Sequence, residues 1–308
     1  MSAVFWKELA DHLGSKRFII FFFLILIVGG ASAYLAAQAL SEARVSPEYI
    51  YLKLFTQGAG GLPSFLGFIS FFGPLIGVIL GFDAINSEFN RGTVSRVLSQ
   101  PIYRDWWING KFLAGITALG IAVASIVLII TGLGLYMLGF PPEGAEISRI
   151  AMSTVISVVY LGFWLSLGIL FSIIFRQTAT SALASIAVWL FFTLFLYMLA
   201  GLIADQIAPI KPGVAPDVFV KHKNIKHLVL RFSPIALYEE ATTAILIPQY
   251  RGLGLAALLK EAAIPTSPLP LGQSLLIVWP QLVGLVALTS ICFAVSYVIF
   301  MRREIRAT

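Results

Sequence analysis

Sulfur, histidine and charge are scarce in this sequence, and each shortage removes a class of chemistry. Cys292 is the single cysteine, so no intrachain disulfide can form and the redox compartment cannot be read from it. The histidines are His12, His222 and His227. The last two fall in the run HKNIKH, whose spacing of five does not align two imidazoles on one helix face, and no HExxH pair occurs, so no zinc site is expected. No long apolar run contains a histidine to act as a base for a serine nucleophile, and no enzyme active site is expected. A GxxxxGK[ST] phosphate loop is missing as well: Gly110-Lys111 is followed by Phe112, without the hydroxyl that would meet magnesium. With no basic, aromatic-interleaved soluble domain, nucleic acid is not an expected partner.

What is present is apolar. Of 308 residues, 58% are hydrophobic and 12% charged, far from the mix of a water-soluble domain. A bilayer core about 30 Å thick needs roughly 20 apolar residues per helix. Six runs supply that length: Phe18–Leu40, Leu62–Phe82, Phe112–Phe140, Ile150–Phe175, Thr178–Ala204 and Leu275–Met301. Runs such as Phe18–Val28 are apolar on every face, which excludes the alternation of a membrane barrel and predicts helices. Lys16-Arg17 before the first run and Ala31-Ser32-Ala33 within it resemble a signal peptide, yet the run continues to Leu40, so the first span is expected to be retained. Gly73, Gly77 and Gly81 recur every fourth residue on one face of the second span and predict a helix-packing seam.

Lys7, Lys16, Arg17, Arg91, Arg96, Arg104, Lys111, Arg176, Arg302, Arg303 and Arg306 fall on one side of this topology, against Arg44, Lys53 and Arg149 in the short loops of the other. The positive-inside rule then places both termini in the cytoplasm of a multi-pass cell-membrane protein. Contact with anionic membrane lipid accounts for part of the +6 net charge. The expected organisation is a cytoplasmic interfacial helix over 1–17, five spans over 18–204 with a cytoplasmic connection at 83–111, an external segment over 205–274, a sixth span over 275–301 and a cytoplasmic tail over 302–308. In the external segment Pro234 to Leu246 and Leu253 to Ala263 read as short helices, and its apolar content suits a folded cap with re-entrant pieces better than a linker.

All 36 Asp, Glu, Lys and Arg residues lie outside the six runs. An ionisable group at the bilayer centre costs roughly 2.5 kcal/mol or more and marks ion or proton pathways, so no relay for ion-coupled transport is visible. Ser125, Thr131, Ser157, Ser166 and Thr193 read as helix-packing hydrogen bonders. Any driving force must enter from outside the membrane body, and the 83–111 connection is the place for it. Gly92 can turn the chain, Thr93 can cap a helix, Val94, Val97 and Leu98 share one face, and Pro101 ends it. A helix of about two turns with basic flanks Arg91 and Arg96 can seat in a partner's groove and transmit a push.

The run Asp83, Glu88, Gly92-Thr93, Leu98-Ser99-Gln100-Pro101, Arg104, Gly110-Lys111 resembles the loop between the second and third spans of type-2 ATP-binding-cassette (ABC) permeases. That family includes the membrane subunit of nitrous-oxide-reductase maturation transporters. Ser233-Pro234 with Tyr238 to Ala241 is similar to an outer segment in many members. The resemblance implies an all-α membrane protein, a second permease copy as partner, and cytoplasmic ATPase subunits that hold ATP and magnesium. The loop would be the coupling helix, with Glu88, Arg91, Gly92, Thr93, Val94, Arg96, Val97, Leu98 and Pro101 as contacts. It also implies an amphipathic N-terminal interface helix, matched by Ser2–Gly14 with Phe5, Trp6, Leu9 and Leu13 as its apolar stripe. ATP-driven export follows as the expected function. Force transmission to an external accessory protein without solute transport, and a membrane scaffold without ATP linkage, stay open beside it, because the external segment of about 70 residues is long for a minimal member.

Overall fold

The computed structural model describes residues 2–42, 49–92, 103–209, 216–250 and 267–303, and among them there is no strand. The elements are α1 (Ser2–Leu13), α2 (Lys16–Glu42), α3 (Ile50–Thr56), α4 (Phe65–Gly81), α5 (Asn86–Asn90), α6 (Arg104–Leu138) and α7 (Gly144–Ile174). They continue with α8 (Thr178–Leu190), a π turn (Phe191–Phe195), α9 (Leu196–Ile207), α10 (Pro216–Leu230), α11 (Pro234–Leu246) and α12 (Leu271–Arg302). Six stretches are long and apolar enough to cross a membrane: α2, Phe65–Asn90, α6, α7, Thr178–Ile207 and α12. Their outward residues include Ile20, Leu128, Leu183 and Leu276, as expected where the surrounding solvent is lipid. The two predicted stretches Thr93–Leu98 and Leu253–Ala263 lie outside the described residues.

The helices outrun the apolar runs. The third span begins at Arg104 rather than Phe112 and the fourth at Gly144 rather than Ile150, so Lys111, Glu146 and Arg149 ride on spanning helices and are buried there. These residues stay outside the apolar runs while continuing their helices, and each charge is held by hydrogen bonds rather than left bare.

α7 is the central helix, packing against α4, α6, α8, α11 and α12. Its tightest neighbour is α4, and the glycine stripe explains the approach. A Cβ on Gly77 would stand 2.6 Å from the Leu161 carbonyl oxygen, and one on Gly81 2.6 Å from that of Leu165; on Gly73 it would meet only the tip of Leu161, at 2.7 Å. Backbone cannot yield as a leucine tip can. Gly77→Ala is therefore expected to cost about 1–3 kcal/mol and Gly73→Ala less, an order that thermal unfolding in detergent will check.

Ser125, Thr131, Ser166 and Thr193 each donate to the carbonyl four residues back, whereas Ser157 also meets the Tyr238 hydroxyl at 2.9 Å. Tyr238 belongs to α11, the expected short helix of segment 205–274. Ser233 and Pro234 start this helix, the serine hydroxyl accepting from the Ala236 amide at 3.3 Å. Its residues Ile235 to Tyr238 and Ala241 to Leu246 are then buried, apart from Thr243, against α4, α7 and α12. The Tyr238 ring stacks on Tyr160 of α7 at 4.3 Å, and the Tyr160 hydroxyl donates to the Ser70 carbonyl of α4 at 2.7 Å. α11 is thus packed among the spanning helices. Its far end is tied by Arg149, which is 1% exposed and donates to the carbonyls of Ile245 and Leu269 and to Ser274 Oγ.

Candidate functional site

Both ends of the described chain, α1 and the last turn of α12, lie at one end of the bundle, here termed the basic end. There the sequence-predicted connection leaves α4 and returns as α6. Its first part is fixed by the central helix: the backbone amides of Ile85 and Asn86 both donate to Ser172 Oγ of α7, at 2.9 and 3.0 Å. Asn86 Nδ2 reaches the Phe82 carbonyl, and Asn90 Nδ2 donates to the Arg176 carbonyl at 3.1 Å. Arg303 lies over the Phe89 ring at 4.7 Å while donating to the Ile173 carbonyl at 2.6 Å. Asp83 pairs with Arg17 at 2.7 Å, a largely exposed pair that adds little stability.

The return limb is held by Lys111. Its side chain is 3% exposed, and its ammonium lies 2.9 Å from Glu8 Oε2 and 2.6 Å from Glu88 Oε1. One cation therefore joins three elements: α1 through Glu8, α5 through Glu88, and α6, on which it stands. Gly110 lets α1 come close enough, since a Cβ there would be 2.9 Å from Val4 Cγ1. The Trp107 ring lies 4.9 Å from the ammonium on its own helix, adding a face that favours cations.

Burial acts against the ionised form of Glu8, but the charges and hydrogen bonds of Lys111 and Lys7 prevail and hold its carboxyl below the ordinary carboxylate range. Such a group contributes stability above its unfolded pKa, and that contribution is lost as pH falls through the folded one. Beside the node an open cleft of 780 Å³ is lined by Lys7, Asp11, His12, Arg17, Asp83 and Arg91 among others, so both signs of charge meet there.

The N-terminal stripe divides. Leu9 is buried and Phe5 half-buried, whereas Trp6 is 64% exposed and Leu13 also faces outward. The face of α1 turned to the bundle is Val4, Glu8 and Leu9, leaving Trp6 and Leu13 as an apolar edge suited to a lipid interface. Among the predicted contacts, Glu88 is turned onto Lys111 and Arg91 is exposed. Gly92 has a φ of 65°, the left-handed region that favours glycine, and so supplies the expected turn. Thr93, Val94, Arg96, Val97, Leu98 and Pro101 lie outside the described residues.

The sequence pattern did not single out Glu8 or the node role of Lys111. A signal was present: Glu8 sits four residues after Val4 on a helix face that must otherwise be apolar, and Lys111 follows a glycine at the mouth of a span.

Comparison with known proteins fits this geometry. The family model described as ABC-2 family transporter protein matches residues 2–305, nearly the whole chain. The chain belongs to the ABC-2 family. This ABC-2 protein is also similar to the probable ABC transporter permease protein NosY of Stutzerimonas stutzeri, with 27% identity over 210 residues, covering 65% of this chain and 70% of that one. The protein of the same name from Pseudomonas aeruginosa matches with the same identity and coverage. It is accordingly a multi-pass membrane protein of the ABC permease type, and the Lys111 node lies where this ABC-2 chain joins its N-terminal helix to both limbs of the connection between the second and third spans.

Proposed function

We propose that this ABC-2 permease works as a pair of copies, with the basic end in the cytoplasm, and converts ATP hydrolysis on separate ATPase subunits into export of a substrate across the cell membrane. ATP and magnesium belong to those subunits. The observation that carries the reading is the buried Lys111 bridging Glu8 and Glu88. A displacement of α5 or of the start of α6 is passed on, because α5 is hydrogen-bonded to α7 and both α1 and α5 share the cation that stands on α6. Displacement there must move α1, α6 and the central helix together. The basic residues of this end and the exposed Trp6 and Leu13 suit an interfacial cytoplasmic surface.

The test addresses the connection itself. Replacing Val94, Val97 and Leu98 together with aspartate should abolish co-purification of the ATP-binding subunit encoded with this permease, while membrane insertion and thermal stability stay unchanged. Retention of that subunit by the triple variant would sink the coupling role.

A further inference from the structure

α11 carries two adjacent carboxylates into the bundle and sends them different ways. Glu240 is satisfied as a tie: Gln281 Nε2 of α12 donates to it at 3.1 Å, and His227 Nδ1 of α10 lies 3.2 Å away. Glu239 is held otherwise. Ser70 Oγ of α4 donates to one of its oxygens at 2.7 Å and the Tyr197 hydroxyl of α9 donates to the other at 2.9 Å. With both oxygens accepting, the arrangement suits the ionised, acceptor-only form. Among the described residues no lysine, arginine or histidine pairs with it, and Glu239 is exposed rather than sealed in.

Its depth makes this unusual. Tyr197 stands ten residues before the end of α9, about 15 Å along the axis at 1.5 Å per residue. Tyr160, bonded to the Ser70 carbonyl, stands sixteen residues into α7, about 24 Å by the same rise. Ser70, which the carboxylate touches directly, stands five residues into α4, about 7.5 Å, so the carboxylate lies within the apolar zone but nearer one end than the centre, where an acidic side chain still carries a cost. Two hydroxyl donors offset part of that cost and leave the charge itself without a counter-ion.

The local backbone is shaped to keep this face in place. In a plain α-helix the eight residues from Trp189 to Tyr197 would carry the two side chains about 80° apart around the axis. The π turn Phe191–Phe195 lies between them and widens the coil, removing part of that rotation. The two side chains reach different partners of one network: Trp189 Nε1 donates to the Phe71 carbonyl of α4 at 3.1 Å, while Tyr197 meets α4 only through Glu239, which also accepts from Ser70. The Phe71 ring rests on Trp189 at 5.3 Å between centroids and is itself 39% exposed. A carboxylate without a counter-ion in an apolar setting is the chemistry that receives an organic cation, and Phe71 exposes a ring one residue along α4 from the serine that binds it.

We propose that Glu239, positioned by Ser70 of α4 and Tyr197 of α9, binds a lipophilic organic cation, such as an amine- or onium-bearing amphiphile. This deepens the permease reading and rests on it, by naming the substrate class. A metal ion does not fit, since the described residues hold no group of three or more His, Cys, Asp or Glu that could bind one.

The test uses two probes of one shape and opposite charge, tetraphenylphosphonium and tetraphenylborate, titrated against the purified full-length permease without ATPase. Saturable binding of the cation at least tenfold tighter than of the anion is expected. Glu239→Gln should weaken the cation tenfold or more and leave the anion unchanged, with Glu239→Asp intermediate. Equal binding of the two ions by the wild-type chain, or unchanged cation affinity in folded Glu239→Gln, would overturn the site. The wild-type comparison stands even where the glutamine variant does not fold. Because no ATPase is present, failure here leaves the coupling reading untouched, and failure of ATPase co-purification leaves this site untouched.

Discussion

Lys111→Met is expected to loosen the basic end of the molecule, lowering stability by roughly 3 kcal/mol, because it leaves two carboxylates close together with their shared cation removed. Glu8 and Glu88 lie 2.9 and 2.6 Å from the ammonium, on different elements. Their repulsion would act directly to separate α1 from α5. At about 2 °C per kcal/mol for a chain of this size, the melting temperature in detergent should fall by about 6 °C. Hydrogen exchange should locate the damage in α1 and α5, with α11 unchanged. Adding Glu8→Gln and Glu88→Gln to the lysine variant should restore most of the loss, since neutral amides do not repel; failure of that rescue would show that packing of the lysine stem, not its charge, holds the node. The pH response carries the same sign. Acidification of the wild-type chain through the depressed pKa of Glu8 should increase exchange in α1, and Glu8→Gln should remove that dependence.

The six spans were legible because their signal is long, repetitive and governed by one solvent. The α4–α7 seam was legible for a related reason: a four-residue glycine repeat has little other use on a membrane helix, although the sequence did not say that α7 is the helix it meets. The polar ties between elements were not legible. Glu8, Lys111, Arg149, Glu239 and Glu240 all lie in segments that composition alone assigns to water, and only tertiary packing brings them against the spans. Pro234 to Leu246 was read as a short helix, yet its insertion among four spanning segments follows from shape complementarity with Tyr160 and Ser157, which no local pattern encodes. The N-terminal helix shows the same limit in miniature: its apolar stripe was visible, but which edge faces protein is decided by Lys111 drawing Glu8 inward.

Arg149→Met should produce a loss of similar size at the opposite end of the bundle. The guanidinium donates to the Ile245 carbonyl, in the last turn of α11, and to the Leu269 carbonyl just before α12, with Ser274 Oγ at 3.3 Å. Helix ends leave carbonyls without internal partners, and inside a membrane water does not reach them. A buried acceptor stripped of its donor costs about 1–3 kcal/mol, so two of them set an expected loss of roughly 3 kcal/mol. Lysine in place of arginine should recover only part of it, because an ammonium cannot reproduce a planar fork that serves two carbonyls on separate segments. The site of the loss distinguishes this account from general destabilisation. Exchange should rise across Pro234–Leu246 and the first turns of α12, while α1 and α5 keep wild-type protection. Since α11 also presents Glu239, the methionine variant should weaken binding of a lipophilic cation without touching any residue that contacts it. Unchanged exchange in α11, with or without a fall in melting temperature, would show that the stacking of Tyr238 on Tyr160 alone suffices to hold α11 among the spans.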